Sequence, residues 1–440
     1  MKTDLDILRE AAVEIVSRLQ TAGFTAYWAG GCVRDQMLGL EPKDYDIATD
    51  AEPERVMVLF PGSTAVGKNF GVVVAPYKKI NFEIATFRQD HDYQDGRRPQ
   101  RVSFVSAEED AERRDFTINA MFYDPVAEKL HDFVGGQDDL KGKVIRCVGD
   151  ASRRFAEDHL RMLRAVRFAS RLGFEITPET VAAIREHAGE IARISKERIQ
   201  GELSRILLES QKAGDAILLL ESTGLLKVIL PDVAAMRKQE QPPQFHPEGD
   251  VLTHTVIMLN EMAYRDITLA LAVLFHDLGK PPTAFHDGTR LRFNGHAERG
   301  AEMAHRIMRE LHYPNKVIED VTRCVGRHMH FMDVQKMRRS TLRRLIGSPT
   351  FDIEQELHRL DCIASHGMLD NHEFLQNAQE EMANEPVLPP RWINGRDVIA
   401  LGVEAGPQVG KWLKTAYDAQ LNGEHPDRES LLRWLADEIN

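Results

Sequence analysis

Cysteine is scarce in this chain. Four occur in 440 residues, Cys32, Cys147, Cys324 and Cys362, far apart and with no Cys-x-x-Cys among them. That usage argues against a disulfide framework and reads as free thiols in a reducing cytoplasm. Long apolar runs are missing too. None approaches the length of a membrane span, so no membrane partner is expected. The polar start, Met1-Lys2-Thr3-Asp4-Leu5-Asp6, runs into an amphipathic pattern and shows no signal peptide. A positive balance is also lacking. The net charge of −12 argues against a general polyanion binder. The distribution qualifies this, because Lys141–Ala213 carries 15 basic against 10 acidic residues, enough for a local basic surface. There is no tandem repeat and no low-complexity tract, and nothing specifies an oligomeric state. What remains is ordinary for a soluble globular chain, 42% hydrophobic and 28% charged, and long enough for two to four domains.

The most informative stretch present is Gly30–Asp46. Gly30-Gly31-Cys32-Val33-Arg34-Asp35 is followed by Lys43-Asp44-Tyr45-Asp46. In a strand, Asp44 and Asp46 share one face while Tyr45 and Ile47 share the other. Adjacent carboxylates repel unless a cation lies between them. With a Gly-Gly loop they suit a divalent metal holding a nucleoside triphosphate. A solvated turn fits the same letters.

The surrounding pattern predicts a helix over Leu5–Leu19, a strand at Ala26–Ala29, a helix from Val33 to Leu38 and a strand at Asp44–Ala48. A short helix Glu52–Phe60 comes next. Strands Gly71–Ala75 and Lys79–Phe87 then pair through Pro76-Tyr77-Lys78. In the second of these, Glu83 faces away from the apolar side, near Asp44 and Asp46. Asp90–Arg101 is polar and turn-rich and reads as a mobile loop. A strand resumes at Val102–Val105. Asp132–Leu140 reads as a turn before a strand at Val144–Val148. Beyond it strand pattern all but disappears, and helices are expected over Glu157–Leu172, Pro178–His187, Lys196–Glu209, Ala213–Thr223, Val251–Tyr264, Ile267–Leu278, Ala297–Leu311 and Lys316–Arg327. Gln239–Phe245 is a proline-bearing loop and Asn384–Pro390 a linker.

Two charged clusters stand out. Arg113-Arg114-Asp115 is ordinary surface charge by itself, but guanidinium forks suit triphosphate oxygens. In Glu157–Phe168 a continuous helix makes Asp158 and Arg161 neighbours, with Glu157 and Arg161 four apart, and puts Arg161, Arg164 and Arg167 on a basic ridge. A solvated helix laced with ion pairs fits equally. An Asp–Arg pair held in one geometry offers an acceptor beside donors. Cytosine and adenine present an amino group next to a ring-nitrogen acceptor; guanine and uracil place a carbonyl where the amino group would be. Such a pair accepts the first two and leaves the others with opposed acceptors.

Gly30-Gly31-x-Val33-Arg34-Asp35, Asp44-x-Asp46, Arg113-Arg114-Asp115-Phe116-Thr117-Ile118-Asn119-Ala120, Gly135-Gly136 and Glu157-Asp158-x-x-Arg161-x-x-Arg164 follow one another in an order and spacing that resembles the class II tRNA nucleotidyltransferase and bacterial poly(A) polymerase family. The resemblance covers roughly the first 210 residues. It implies an α+β chain, with an N-terminal nucleotidyltransferase-fold α/β head (1–148), then an all-helical neck (149–213), body (214–383) and tail (384–440). It implies Mg²⁺ on Asp44 and Asp46, with Glu83 as third carboxylate. Gly31, Arg34 and Arg114 would contact the triphosphate, Gly30, Arg113 and Asp115 would belong to the same nucleotide site, and Asp158, Arg161, Arg164 and Arg167 would recognise the base and its phosphates. It further implies template-independent transfer from CTP and ATP to the 3′ end of tRNA, gripped at the acceptor arm by neck and tail. Arg205, Lys212 and Lys411 are candidate contacts. CCA-adding, CC-adding, A-adding and poly(A)-polymerase members share the head motifs. The full-length stretch Asp90–Arg101 resembles members that add C, which favours CCA addition.

The C-terminal half carries His254, His276-Asp277, His296, His328 and Asp361. An adjacent His-Asp flanked by spaced histidines resembles the HD phosphohydrolase superfamily. Imidazoles and carboxylates of this kind bind a divalent transition metal or Mg²⁺ and activate water on phosphoesters. A body that keeps this pattern as scaffold is the alternative, and a phosphohydrolase or 2′,3′-cyclic phosphodiesterase as main activity is the rival reading. His286, His305 and His330 are left to structural or supporting roles.

Overall fold

The computed structural model describes residues 3–66, 71–94, 98–242, 248–383 and 385–439, with only the backbone considered at 90–94 and 98–101. Chain contacts divide it into two units, Met1–Ala234 and Ala235–Asn440.

The first unit is built on strands β1 (Ala26–Ala29), β2 (Asp46–Thr49), β3 (Thr64–Ala65), β4 (Val72–Tyr77), β5 (Ile80–Thr86), β6 (Arg88–Gln94), β7 (Arg98–Phe104), β8 (Phe122–Asp124) and β9 (Lys129–His131). Seven of these form one mixed sheet in the order β3-β4-β5-β2-β1-β8-β9. Only the β2–β5 pairing in it is parallel. The helix Asp4–Thr21 starts on a capping box between Thr3 and Asp6 and buries Ala11, Ala12, Ile15, Val16 and Leu19. Leu5 is left in the exposed first turn. β4 and β5 are joined at Lys78 and Lys79, whose φ angles of 51° and 68° make this the turn, one residue later than the sequence pattern suggests.

Four local expectations are corrected. Asp90–Arg101 is not a loop throughout: β6 and β7 pair antiparallel as a separate two-stranded sheet, with Arg88 opposite Phe104 and Gln94 opposite Arg98. Residues 95–97 lie outside the described residues. Asp132–Leu140 is less a turn than a capped helix start, because Asp132 accepts from the amides of Gly136 (2.9 Å) and Gln137 (2.8 Å) ahead of the helix Gly136–Gly142. The expected helix Glu157–Leu172 is two helices, Ala151–Glu157 and Arg161–Leu172, broken at Asp158 (φ −147°, ψ 104°). There Asp158 Oδ1 accepts from the Leu160 amide at 3.0 Å, the local turn by which Asp competes with helix. Beyond 148, short two-residue strands do occur, at Glu175–Ile176, Phe285–His286 and Leu291–Arg292. The helices Pro178–His187 and Lys196–Glu209 end where the sequence pattern does.

Among the described residues, the regular elements of the second unit are helices apart from that Phe285–Arg292 hairpin. Phe331, Val334, Leu342, Leu345, Phe351 and Leu375 form one core. Its last three helices, Gly395–Ala400, Pro407–Asn422 and Arg428–Ile439, enclose a separate one of Ile393, Val398, Ala416, Ala419, Leu431 and Leu435. The loop Gln239–Phe245 and the linker Asn384–Pro390 fall partly outside the described residues. No helix among the described residues is long and apolar enough to cross a membrane.

Candidate active site and metal centre

Asp44 and Asp46 lead into β2 with side chains exposed, while Tyr45 and Ile47 between and after them are buried. Tyr45 packs on Trp28 with ring centroids 4.6 Å apart, which anchors the strand and turns both acids outward. β2 runs parallel to β5 with Ile47 opposite Ile84. Asp46 and Glu83, one residue earlier on each, therefore project side by side from the same face. Surrounding protein, then Asp44 and Glu83, push the Asp46 carboxyl up to about 6, against the pull of Arg114. Three oxygen-donor side chains with unrelieved repulsion fit a hard divalent cation.

These acids border a cavity of about 740 Å³ lined also by Gly30, Gly31, Arg34, Arg114, Asp158, Arg161, Arg164 and Arg198. Gly30 adopts φ 74°, and a Cβ there would lie 3.3 Å from Arg114 Nη1, so glycine lets that guanidinium come close to the backbone. Arg34 is 2% exposed, with Nη1 donating to Asn119 Oδ1 (2.6 Å) and Nε and Nη2 to Asp35 Oδ1. Arg113 and Arg114 are both held by Asp110. One oxygen accepts from Arg113 Nη2 at 2.7 Å, the other from Arg114 Nη2 at 3.0 Å. Asp115 accepts from Arg164 Nη2 at 2.7 Å. Arg167, 5% exposed, pairs with Glu202 at 2.7 Å. Arg161 Nη1 donates to Glu157 Oε2 (2.8 Å) and Nη2 to the Arg113 carbonyl (3.2 Å). The break at 158 thus undoes the expected Asp158–Arg161 pairing: Asp158 Oδ2 accepts from Arg198 Nη2 at 2.8 Å instead. Arg205 lines the same cavity, and Lys212 and Lys411 are exposed.

In the second unit three histidines obey one rule. Nδ1 of His276, His296 and His328 lies 2.8, 2.9 and 2.7 Å from the carbonyl three residues earlier, at Val273, Phe293 and Val325. Those carbonyls accept, which fixes the proton on Nδ1 and leaves Nε2 a lone pair. His276 Nε2 is 3.1 Å from Asp277 Oδ2, and the Nε2 atoms of His296 and His328 are 3.6 and 3.9 Å from Asp277 Oδ1. The Nε2 atoms of His296 and His328 stand 3.2 Å apart. Two lone pairs that close call for a cation, and the donor set suits a divalent metal. Burial, then His276, pushes His328 down to about 4, so its ring is neutral as a ligand must be. His254 completes a second tight group with His276 and Asp277. Burial works against its proton, but Asp361 (3.1 Å) and Glu248 (2.6 Å) prevail and push it up to about 9. His286, His305 and His330 are exposed and belong to neither group. A Cβ on Gly279 would lie 2.0 Å from the His296 carbonyl oxygen. Gly279→Ala is therefore expected to push the helix His296–Glu310 off His276-Asp277 and weaken divalent-metal binding at least tenfold, read by calorimetry with Mn²⁺.

Comparison with known proteins fits this geometry. Residues 26–146 match the Poly A polymerase head domain, 173–237 the probable RNA and SrmB-binding site of polymerase A, and 250–363 the HD domain. A CCA-adding enzyme of Geobacillus stearothermophilus is 34% identical over 436 residues, 97% of this chain and 96% of that protein. This chain belongs to the CCA-adding enzyme family. A family member from Geobacillus thermodenitrificans is 45% identical over 226 residues, which span 51% of this chain and 55% of that one. The crystal structure of the Bacillus stearothermophilus CCA-adding enzyme in complex with CTP is 31% identical with TM-score 0.78, covering 100% of this chain and 98% of that one. The Thermotoga maritima enzyme complexed with tRNA shares the fold at 21% identity and TM-score 0.65, over 100% and 97%.

Within this family frame, sequence reasoning missed Asp110, Arg198 and Glu202. Asp110 looks like one acid in Glu108-Glu109-Asp110, and only its helical spacing of three and four to Arg113 and Arg114 hints at the clamp. Glu202 and Arg198 act across about 35 to 40 residues of chain, beyond any local pattern.

Proposed function

We propose that this chain adds CCA to the 3′ end of tRNA from CTP and ATP, without a template. The observation that carries the reading is the cavity that joins the exposed Asp44–Asp46 pair to a wall of arginines, in a chain related along nearly its full length to a CCA-adding enzyme. The RNA 3′-hydroxyl attacks the α-phosphate, a new P–O bond forms, and pyrophosphate leaves. Asp44, Asp46 and Glu83 would hold Mg²⁺, which supplies charge stabilisation and a more acidic hydroxyl. Gly30 and Gly31 admit the triphosphate. Arg113 and Arg114 counter its charge, with Asp115 and Arg34 keeping that wall in place. Asp158, Arg161, Arg164 and Arg167 serve the base and its phosphates. The division into head (1–148), neck (149–213), body (214–383) and tail (384–440) belongs to the same reading, with acceptor-arm contacts in neck and tail. In the body, His276, Asp277, His296, His328 and Asp361 would hold a divalent transition metal or Mg²⁺, with His254 joining them once the ion displaces the proton that Asp361 and Glu248 stabilise on its ring.

The test incubates the protein with tRNA lacking CCA, ending in C and ending in CC, each with labelled CTP or ATP. Incorporation of C onto the truncated tRNA followed by A is the expected result. A added only after CC means an A-adding enzyme, and no incorporation at all ends the transferase reading.

A further inference from the structure

We propose that Phe168 is a positioning residue for the nucleotide, one aromatic ring that gathers three guanidiniums beside the cavity before the triphosphate arrives. The inference rests on the transfer reading above and deepens it. The guanidinium carbons of Arg167, Arg34 and Arg164 lie 4.3, 5.2 and 5.2 Å from the centroid of the Phe168 ring. Contacts in that range are attractive, because the ring carries negative charge density on its faces. Arg34 belongs to the helix Gly31–Met37 and the other two to the helix Arg161–Leu172. The ring is therefore where two elements far apart in sequence bring their cations together. Phe168 is 5% exposed and lines the same cavity as Asp44 and Asp46. The buried Phe116 ring meets it with centroids 5.8 Å apart and planes at 78°, which fixes its place.

Each of the three cations has a close carboxylate of its own, Asp35 for Arg34 at 2.6 Å, Asp115 for Arg164 at 2.7 Å and Glu202 for Arg167 at 2.7 Å. Hydrogen bonds to a guanidinium lie in its plane, so its faces stay free to meet an aromatic ring. The carboxylates offset the charges one by one. They do not hold the three cations to one another, and like charges this close repel. Burial, opposed by Glu202, and then the charge of Arg164 hold the Arg167 guanidinium below its ordinary pKa. The shared ring attracts all three. A leucine would fill comparable space and supply no such attraction. A triphosphate brings several negative charges into the cavity, and a wall already assembled spares the cost of collecting its cations on binding. The attraction concerns the phosphates and not the base, so it serves CTP and ATP alike.

The experiment places 4-fluoro-, 3,5-difluoro- or 3,4,5-trifluorophenylalanine at position 168 of the full chain, beside wild type and Phe168→Leu. Successive fluorines keep the shape of the ring and drain negative charge from its faces, so they weaken its attraction for a cation. Thermal unfolding checks that each variant folds. Affinity for CTP and for ATP with Mg²⁺ is read by calorimetry, and kcat and KM by incorporation of C onto tRNA lacking CCA. Each added fluorine is expected to weaken both nucleotides in step, reaching about tenfold at the trifluoro ring. KM rises with it while kcat stays within about twofold, because the binding lost is common to substrate and transition state. Phe168→Leu is expected to lose at least as much, and the fluorinated series decides the matter if that variant does not fold. Affinity that stays flat across the series makes the ring a space-filler and overturns the proposal, as does a loss confined to one of the two nucleotides. A graded loss of CTP affinity in a protein that transfers neither C nor A ends the transfer reading and leaves the role of the ring intact.

Discussion

Asp46→Ala is expected to leave the protein folded and to remove nucleotidyl transfer, lowering kcat by about a thousandfold or more. The size follows from the job proposed for it. Losing a metal-held charge contact at the transferring phosphate costs several kcal/mol, and about 4 kcal/mol is a thousandfold in rate. The side chain is exposed, so its removal costs little packing. It also relieves repulsion with Asp44 and Glu83 in the metal-free protein. His276→Ala, in the second unit, should leave transfer unchanged, and the contrast separates the two sites. A pH dependence comes with it. Because the Asp46 carboxyl sits at about 6, it retains its proton until the pH rises through that value, and a cation must displace the proton below it. The Mg²⁺ concentration for half-maximal transfer should therefore climb as pH falls through about 6, read from metal titrations on either side. Transfer that survives in Asp46→Ala would sink the carboxylate assignment.

How much of this was legible beforehand depended on the range of the interaction. Alternation gave the outward pair Asp44 and Asp46, although β2 begins only at Asp46, and helical periodicity gave Pro178–His187 and Lys196–Glu209 to the residue. The histidines announced themselves by type and adjacency. Their shared device, Nδ1 tied to the carbonyl three residues back, is a property of helix ends that composition does not express. Two departures arise where apolar spacing carries no signal. Apolar spacing alone predicts one helix through Asp158, because it does not register that an Asp side chain can bond the amide two residues on. β6 and the first half of β7 escaped notice, and only the strand at Val102–Val105 was expected, because the two pair with each other outside the large sheet and so lack the apolar alternation that marks a strand. Arg198 could be found only by folding the chain, since nothing local links it to Asp158.

The second large effect is expected at a residue that need not touch substrate at all. Asp110→Ala should destabilise the first unit by about 3 kcal/mol and cut transfer as well. Asp110 is 1% exposed and receives Arg113 on one oxygen, Arg114 on the other and the Arg88 amide at 3.1 Å. Removing it takes the shared carboxylate away from two guanidiniums whose side chains are each only 19% exposed. Breaking a buried pair from one side costs about 3–5 kcal/mol, and the partial exposure of the arginines places this case at the lower end. The sign of the pH effect follows from the same contacts. Burial raises the carboxyl's pKa, but Arg114 and Arg113 outweigh it and hold it below the ordinary value. Its contribution is therefore present above the unfolded carboxyl pKa and lost as pH falls through the lowered folded value. Urea unfolding of wild type and variant at neutral pH should differ in midpoint, and the difference should shrink in acid. An unchanged midpoint at neutral pH would mean that the two arginines find other acceptors. The clamp would then be dispensable, and the charge of the triphosphate wall would be set by the cavity alone. A lowered midpoint with transfer intact would instead separate the scaffold role of Asp110 from the aim of Arg114, whose Nη1 reaches towards Gly30.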